Sequence, residues 1–390
     1  MKRETFISFA KPKIGEEEIA EVIETLKSGW LTTAYRVQKF QEDFKNFIGC
    51  KYALAMNSAT AAIHLGLKAL GIKEGDEVIT TANSFVSTSL AILHNRAIPV
   101  FVDINKETYN IDENKIEEKI TKKTKAILPV HYAGYPCEMK TILEIAKKYN
   151  LKVLEDAAHA TETKIDNLKV GNISDATAFS FYATKNVICG EGGMLTTNSE
   201  EIARKVEVNT LHGIDRDAWK RYFKGGNKRL YDVIDEGYKY NMPDIQAAIG
   251  IHQLKKVMKN LEIRKKYWEI YNRELADLPI QLPPEIPENI VHSRHIYNIV
   301  LKPEELKITR NEFMNLMEEN NVGTAVHFPA IHQFTYFKDV LKIDGRGLEN
   351  TENFCANTVS LPFTPYLTEE EVYYIARTVK KIIKENYKKK

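Results

Sequence analysis

LKVLEDAAHA, Leu151–Ala160, carries an apolar run straight into two adjacent carboxylates, two alanines and a histidine. An apolar stretch of strand length without polar alternation is buried on both faces, as in strands of a mostly parallel sheet. Runs of the same kind occur on either side, at Glu77–Thr80, Ile98–Val102, Ala126–Val130, Ala176–Phe181 and Gly193–Thr197. Helical patterns at Ser84–Asn95 and Cys137–Tyr149 separate them. A further helix, Ala59–Leu70, precedes the first strand and closes on Gly71. Strands alternating with helices predict βαβ units, right-handed crossovers and an α/β fold that binds ligands at the carboxyl ends of its strands.

The pattern changes beyond residue 243. Pro243 reads as the first helical residue, with Asp244 in the first turn of one or two long helices over Pro243–Leu275. Ile296–Leu301 then alternates like a strand, Asn311–Glu319 like a helix, Thr324–Phe328 like a strand and Thr368–Tyr387 like a final amphipathic helix. This predicts a large domain over 1–260 and a smaller α+β domain over 261–390.

Composition narrows the function. The chain has 390 residues, enough for two or three domains. Lys plus Arg number 55 against 53 for Asp plus Glu, a net charge of +2 that argues against nucleic acid as a partner. No apolar run approaches the ~20 residues of a membrane span, and the charged start MKRETFISFAKPKIGEEE is not a secretory signal. Cys50, Cys137, Cys189 and Cys355 are widely spaced, which suits a reducing cytoplasm. Gly66 and Gly71 have phosphate-loop spacing, but Ile72 stands where that loop needs Lys. No G-x-G-x-x-G follows the first strand. The pairs His292/His295 and His327/His332 have no neighbouring carboxylate or thiol set, so no metal site is expected.

Three segments make chemical sense together. Asp156 ends a buried strand, where ligands bind, although a cap for the next segment would look the same. In ATAFSFYATKNVICGEGGMLTT, Ala176–Thr197, a buried strand delivers Ser180, Thr184 and Lys185 before a Gly-rich loop. A Lys beside a buried run is either a surface residue in a turn or a desolvated amine nucleophile with a lowered pKa. In NSATAA, Asn57–Ala62, a helix opens with Ser58 and Thr60, as an anion site or as plain capping. Amine, carboxylate and phosphate cradle form the set that pyridoxal 5′-phosphate requires.

At these residues the sequence resembles the DegT-type nucleotide-sugar aminotransferases of the aspartate-aminotransferase-like class. The resemblance runs through GWLTTAYRVQKFQEDF, NSATAAIHLGL, EDAAHA, FSFYATKNVICGEGG, GYKYNMPDIQAAIG and SLPFTPYLTEEEV. GWLTT and GYKYN look most similar to enzymes that aminate UDP-4-keto sugars in lipid A, and so lipopolysaccharide, modification.

The resemblance implies a pyridoxal-phosphate enzyme of fold type I, with a mostly parallel seven-stranded sheet flanked by helices. Lys185 takes the Schiff-base position, where some relatives carry His and act as sugar dehydratases. Asp156 takes the pyridinium partner, and His159 lies near the 3′-oxygen of the ring. Phe85 takes the stacking aromatic, although a core Phe is equally compatible. Ser58, Ala59, Thr60 and Ser180 take the phosphate positions. Asn241 reaches the phosphate of the neighbouring subunit, which implies a homodimer. Glutamate and a nucleotide-linked keto sugar are the implied substrates, in two half-reactions with ping-pong kinetics. Lys220 and Arg229, in a basic and aromatic loop, suit the diphosphate or a solvated surface. His327 and His332 lie where the family lines its sugar pocket, unless they only pack. A sugar dehydratase, a sugar-3-aminotransferase and a non-catalytic regulator of the same fold are the alternatives.

Overall fold

In the computed structural model, which describes residues 3–215 and 231–388, the alternating pattern becomes a seven-stranded sheet. Its strands are β1 (Tyr52–Met56), β2 (Glu77–Thr81), β3 (Ile98–Val102), β4 (Thr124–Ile127), β5 (Lys152–Asp156), β6 (Ala176–Ser180) and β7 (Gly193–Thr197). The spatial order is β1-β7-β6-β5-β4-β2-β3. Only β7 runs against its neighbours, pairing antiparallel with both β1 and β6. A fold with a mostly parallel seven-stranded sheet is therefore what the molecule has.

Period-two alternation sorts the strand side chains between two helical layers. Phe179, Phe181 and Met194 face one side, packed with Phe40 and Phe44 of α2 (Tyr35–Ile48) and with Ala247, Ile251 and Leu254 of a later helix. Ala178, Leu154 and Leu195 face the other, against Ala62, Ile63 and Leu65 of α3 (Ala59–Ala69). The remaining helices of this part are α1 (Glu16–Ser28), α4 (Ser87–His94), α5 (Met139–Tyr149) and α6 (Glu200–Thr210).

The region after residue 243 opens with one unbroken helix of 32 residues, α7 (Asp244–Leu275). Its first half belongs to the core under the sheet, through Ala247 to Val257. Its second half, from Tyr267 onward, belongs to a separate core with Tyr297, Phe313, Val359 and Ile375. That core is built on β8 (Ile280–Gln281), β9 (Tyr297–Leu301) and β10 (Thr358–Leu361), an antiparallel sheet of order β8-β9-β10. The helices α8 (Arg310–Glu319) and α10 (Glu369–Glu385) complete it, while α9 (Glu349–Asn357) packs Phe354 and Cys355 with Tyr109 and Tyr132. The N-terminal Ile7 also joins it, by a backbone bridge to Val322.

Two local expectations are corrected. Thr324–Phe328 is not a strand. A single bridge pairs Ala325 with Ser360, and Pro329 has no N–H with which to extend the ladder. Pro243 is the N-cap, in extended conformation, rather than the first helical residue. Asp244 does not serve its own helix start. It is fully buried, and its carboxylate accepts the backbone N–H groups of Ala34, Arg36 and Val37 at 2.8, 3.1 and 3.0 Å, capping α2. Asp244→Ala would leave those N–H groups without their charged acceptor. It is expected to lower unfolding stability by about 2–4 kcal/mol, measured by chemical denaturation, with Asp244→Asn losing less.

Candidate active site

The carboxyl edge of the sheet collects the site. β5 ends in Asp156, β6 ends in Ser180, β1 leads into the start of α3, and β2 leads through Ser84 and Phe85 into α4. β7 runs the other way, so Gly193, at its beginning, meets the same edge. A Cβ there would lie 2.3 Å from the Ser58 carbonyl carbon and 2.6 Å from the Ala59 nitrogen, so only Gly allows this approach to α3.

Neighbouring residues on a strand point to opposite faces, and this separates the two carboxylates. Glu155 is fully buried against His131 Nε2 at 2.9 Å, Ser174 Oγ at 2.7 Å and Thr177 Oγ1 at 2.9 Å. Burial alone would raise its carboxyl, but these partners hold it below the ordinary range. Glu155 is structural. Asp156 faces the site. Its Oδ2 accepts Thr88 Oγ1–H at 2.7 Å and its Oδ1 accepts Ala158 N–H at 3.1 Å. Thr88 Oγ1 is itself 2.7 Å from Ser84 Oγ, so the first turn of α4 aims the carboxylate. Burial raises the Asp156 carboxyl, against the pull of Thr88, Ala158 and the Lys185 charge.

Lys185 follows β6 in a turn whose backbone N–H bonds to Tyr182 O at 2.9 Å. Desolvation brings its amine down to about 8, and the Asp156 charge pulls the other way. Neutral amine therefore grows as pH rises through about 8. Acylation of Lys185 in the cofactor-free protein is expected to titrate with that midpoint, well below exposed lysines, as read by peptide mass spectrometry. A midpoint near 10 would remove the desolvation argument.

His159 is buried, and its Nδ1 accepts Ala133 N–H at 3.2 Å. Burial first, then the charges of Lys185, His295 and His327, push its pKa far down, so the ring is neutral with its proton on Nε2. Phe85 is 59 % exposed at the edge, its ring 6.0 Å from Phe328. Among the two readings of this residue, a core position is excluded by that exposure. Ser58 is the N-cap of α3, accepting Ala61 N–H at 3.1 Å, which leaves Ala59 and Thr60 N–H without partners inside the helix. Ser180 is buried at the end of β6. Asn241 bridges Met56 through its backbone and donates from Nδ2 to Thr33 Oγ1 at 2.7 Å.

A cavity of about 620 Å³, counting its open mouth, lies beside Lys185 between the two cores. Its lining includes Phe9, Thr184, His295, His327 and Tyr366. His327 is held by Ser360 Oγ at 2.9 Å from Nδ1, and burial followed by the Lys185 charge takes its pKa down to about 3. His332 does not join this lining. It is buried with Nε2 2.9 Å from Glu352 Oε1. Lys220 and Arg229 lie outside the described residues.

Four participants escaped the sequence. Thr88 sits in the turn after NSFV, and only its place in the first turn of a site helix could have flagged it. Glu162 and Arg264 form a buried ion pair, both 1 % exposed. His295 enters the site because Ile290–Val291 pairs with Lys164–Ile165, just after Glu162. No group of three or more metal-binding side chains exists among the described residues. None of the described helices is long and apolar enough to cross a membrane.

A single site thus holds a desolvated amine, a buried carboxylate in electrostatic contact with it, a neutral histidine donor, an exposed aromatic face and free helix N–H groups. This donor set fits pyridoxal phosphate, a cofactor whose aldehyde, ring nitrogen, ring oxygen and phosphate call for an amine, a carboxylate, a hydrogen-bond donor and free backbone N–H groups.

Comparison with known proteins agrees with that fit. The profile of the DegT/DnrJ/EryC1/StrS aminotransferase family matches residues 12–380. The spore coat polysaccharide biosynthesis protein SpsC of Bacillus subtilis is 43 % identical over 384 residues, 98 % of either chain. PseC of Helicobacter pylori, an aminotransferase involved in the biosynthesis of pseudoaminic acid, superposes with a TM-score of 0.90 at 30 % identity, covering 98 % of this chain and 100 % of its own. A Streptococcus pneumoniae protein assigned as a sugar aminotransferase, in its PLP form, has a TM-score of 0.90 at 31 % identity, over 97 % and 99 % of the two chains.

Proposed function

The chain belongs to the DegT/DnrJ/EryC1/StrS aminotransferase family, and on that premise we propose that it moves an amino group from glutamate to the keto group of a nucleotide-linked sugar, in the first place a UDP-4-keto sugar. It is a pyridoxal-phosphate-dependent sugar aminotransferase; donor, nucleotide and carbon are the proposal. The observation that carries it is the convergence of the half-buried Lys185 with the buried Asp156, close enough for each charge to act on the other.

When bound, pyridoxal phosphate supplies an electrophilic aldehyde and a ring that withdraws electrons. The protein does the rest. The Lys185 amine, partly neutral near physiological pH, holds the cofactor and, when displaced, carries a proton at the substrate carbon as a positioned base. The Asp156 carboxylate, aimed by Thr88, keeps a positive charge on the ring nitrogen favourable. His159 donates from Nε2, Phe85 stacks, and Ser58, Ala59, Thr60 and Ser180 hold the phosphate.

We propose Lys220 and Arg229 for the diphosphate, His327 for the sugar, and a domain division at 1–260 and 261–390; His332, turned to Glu352 and off the cavity lining, is left out of the sugar contacts. We also propose a cytoplasmic homodimer with Asn241 serving the partner's site. Leu31 and Tyr35, 44 % and 64 % exposed beside the Thr33 that holds Asn241, support such an interface. Polysaccharide synthesis is the setting, in line with what SpsC is named for, and lipopolysaccharide is the finer part of the proposal. The test is a glutamate-dependent assay over UDP- and dTDP-linked 3- and 4-keto sugars, with the aminated carbon assigned by NMR. Absence of transfer to every sugar would overturn the substrate class.

A further inference from the structure

Two histidine rings, His159 and His295, stand 4.5 Å apart, and the second of them lines the cavity. The protein fixes the proton on each. His159 Nδ1 accepts a backbone N–H, which can only donate, so its proton is on Nε2. For His295 the argument starts at Asn186, next to Lys185. Asn186 Nδ2 donates to the Ser293 carbonyl at 3.1 Å and to the Glu162 carboxylate at 2.9 Å. A backbone carbonyl can only accept, so the amide orientation is set and Oδ1 faces the other way. Oδ1 lies 3.0 Å from His295 Nδ1 and can only accept, so Nδ1 carries the proton. Arg264 anchors the frame from behind, donating to Glu162 and, at 3.2 Å, to the same Ser293 carbonyl.

His295 is thereby left with a bare Nε2 that has no hydrogen-bond partner among the described residues and is not an occluded atom. The ring lines the cavity with Lys185 and His327. A lone pair there calls for a donor. In the function proposed above the Lys185 amine and the Nε2–H of His159 serve the cofactor, which leaves the substrate to bring the donor.

We propose that His295 is a specificity-determining residue that accepts a hydrogen bond from a sugar hydroxyl adjacent to the reacting carbonyl, its tautomer locked by Asn186, Glu162 and Arg264. This rests on the function proposed above. A site built to pair with a hydroxyl discriminates against an analogue that lacks it, because its acceptor is then left unpaired.

The test has two arms. In the cofactor-free protein, nitrogen-15 histidine spectra, with His295→Phe for assignment, are expected to show His295 protonated on Nδ1 and bare on Nε2. The opposite tautomer would overturn the inference whatever the enzyme does. In the holoenzyme, wild type and His295→Phe are compared on a UDP-linked 4-keto-6-deoxyhexose and its 3-deoxy analogue. Phe should raise KM for the hydroxylated sugar about tenfold more than for the deoxy sugar. His295→Gln, whose amide oxygen can accept, should recover part of that difference. Equal losses on both sugars would mean a merely structural ring and would overturn it. A wild-type protein that neither turns yellow with cofactor nor transfers amino groups would instead overturn the proposed function, and the spectra would still decide the tautomer.

Discussion

Lys185→Ala is expected to abolish covalent capture of the cofactor and to lower transamination by at least about 10⁴-fold, since one side chain supplies both nucleophile and proton carrier. Borohydride reduction of the wild type should label the peptide containing Lys185, and the same treatment of the variant should label none. Lys185→Arg separates charge from chemistry. It keeps a cation beside Asp156 but, with a guanidinium that stays protonated, offers no neutral amine. The two variants should be equally inactive. Turnover retained by either would remove Lys185 from the reaction.

Asp156→Asn should be the second largest loss, about 10²–10³-fold in kcat, with cofactor still bound. The substitution keeps the shape and removes the charge that favours a protonated ring nitrogen. Thr88→Val tests how that carboxylate is positioned. Burial raises the Asp156 carboxyl and the Thr88 hydroxyl lowers it, so losing the hydroxyl must raise it further. A group with a higher pKa gains its proton at higher pH as the solution is acidified. The acid limb of kcat/KM should therefore move upward in Thr88→Val, while activity at alkaline pH falls far less than in Asp156→Asn. An unchanged acid limb would show that Thr88 packs without tuning the carboxylate.

How much of this was written in the chain follows from how each feature is encoded. The sheet was legible because β5, β6 and β7 are short, apolar and interrupted by helix-length segments, and because burial on both faces leaves that mark locally. The positions of Lys185, Asp156 and Ser58, at or a few residues beyond the ends of such elements, were legible, and a parallel sheet binds its ligands there. Adjacent carboxylates could not be told apart by composition. The half-turn between successive strand residues sends Glu155 to His131 and Asp156 to Thr88, and that appears only once the strand is placed.

Tertiary structure alone decided the rest. Asn186 meets Ser293 across 107 residues of chain, and Arg264 meets Glu162 across 102. Asp244 caps a helix that begins more than 200 residues earlier in the chain. Such contacts have no periodicity to read, because loop closure lets distant segments meet at little extra cost per added residue. Sequence therefore determined the sheet, its reactive edge and the cofactor chemistry of this aminotransferase. Folding decided which histidine keeps a lone pair, which carboxylate stays structural and which cation is already paired, because those properties belong to neighbours and not to residues.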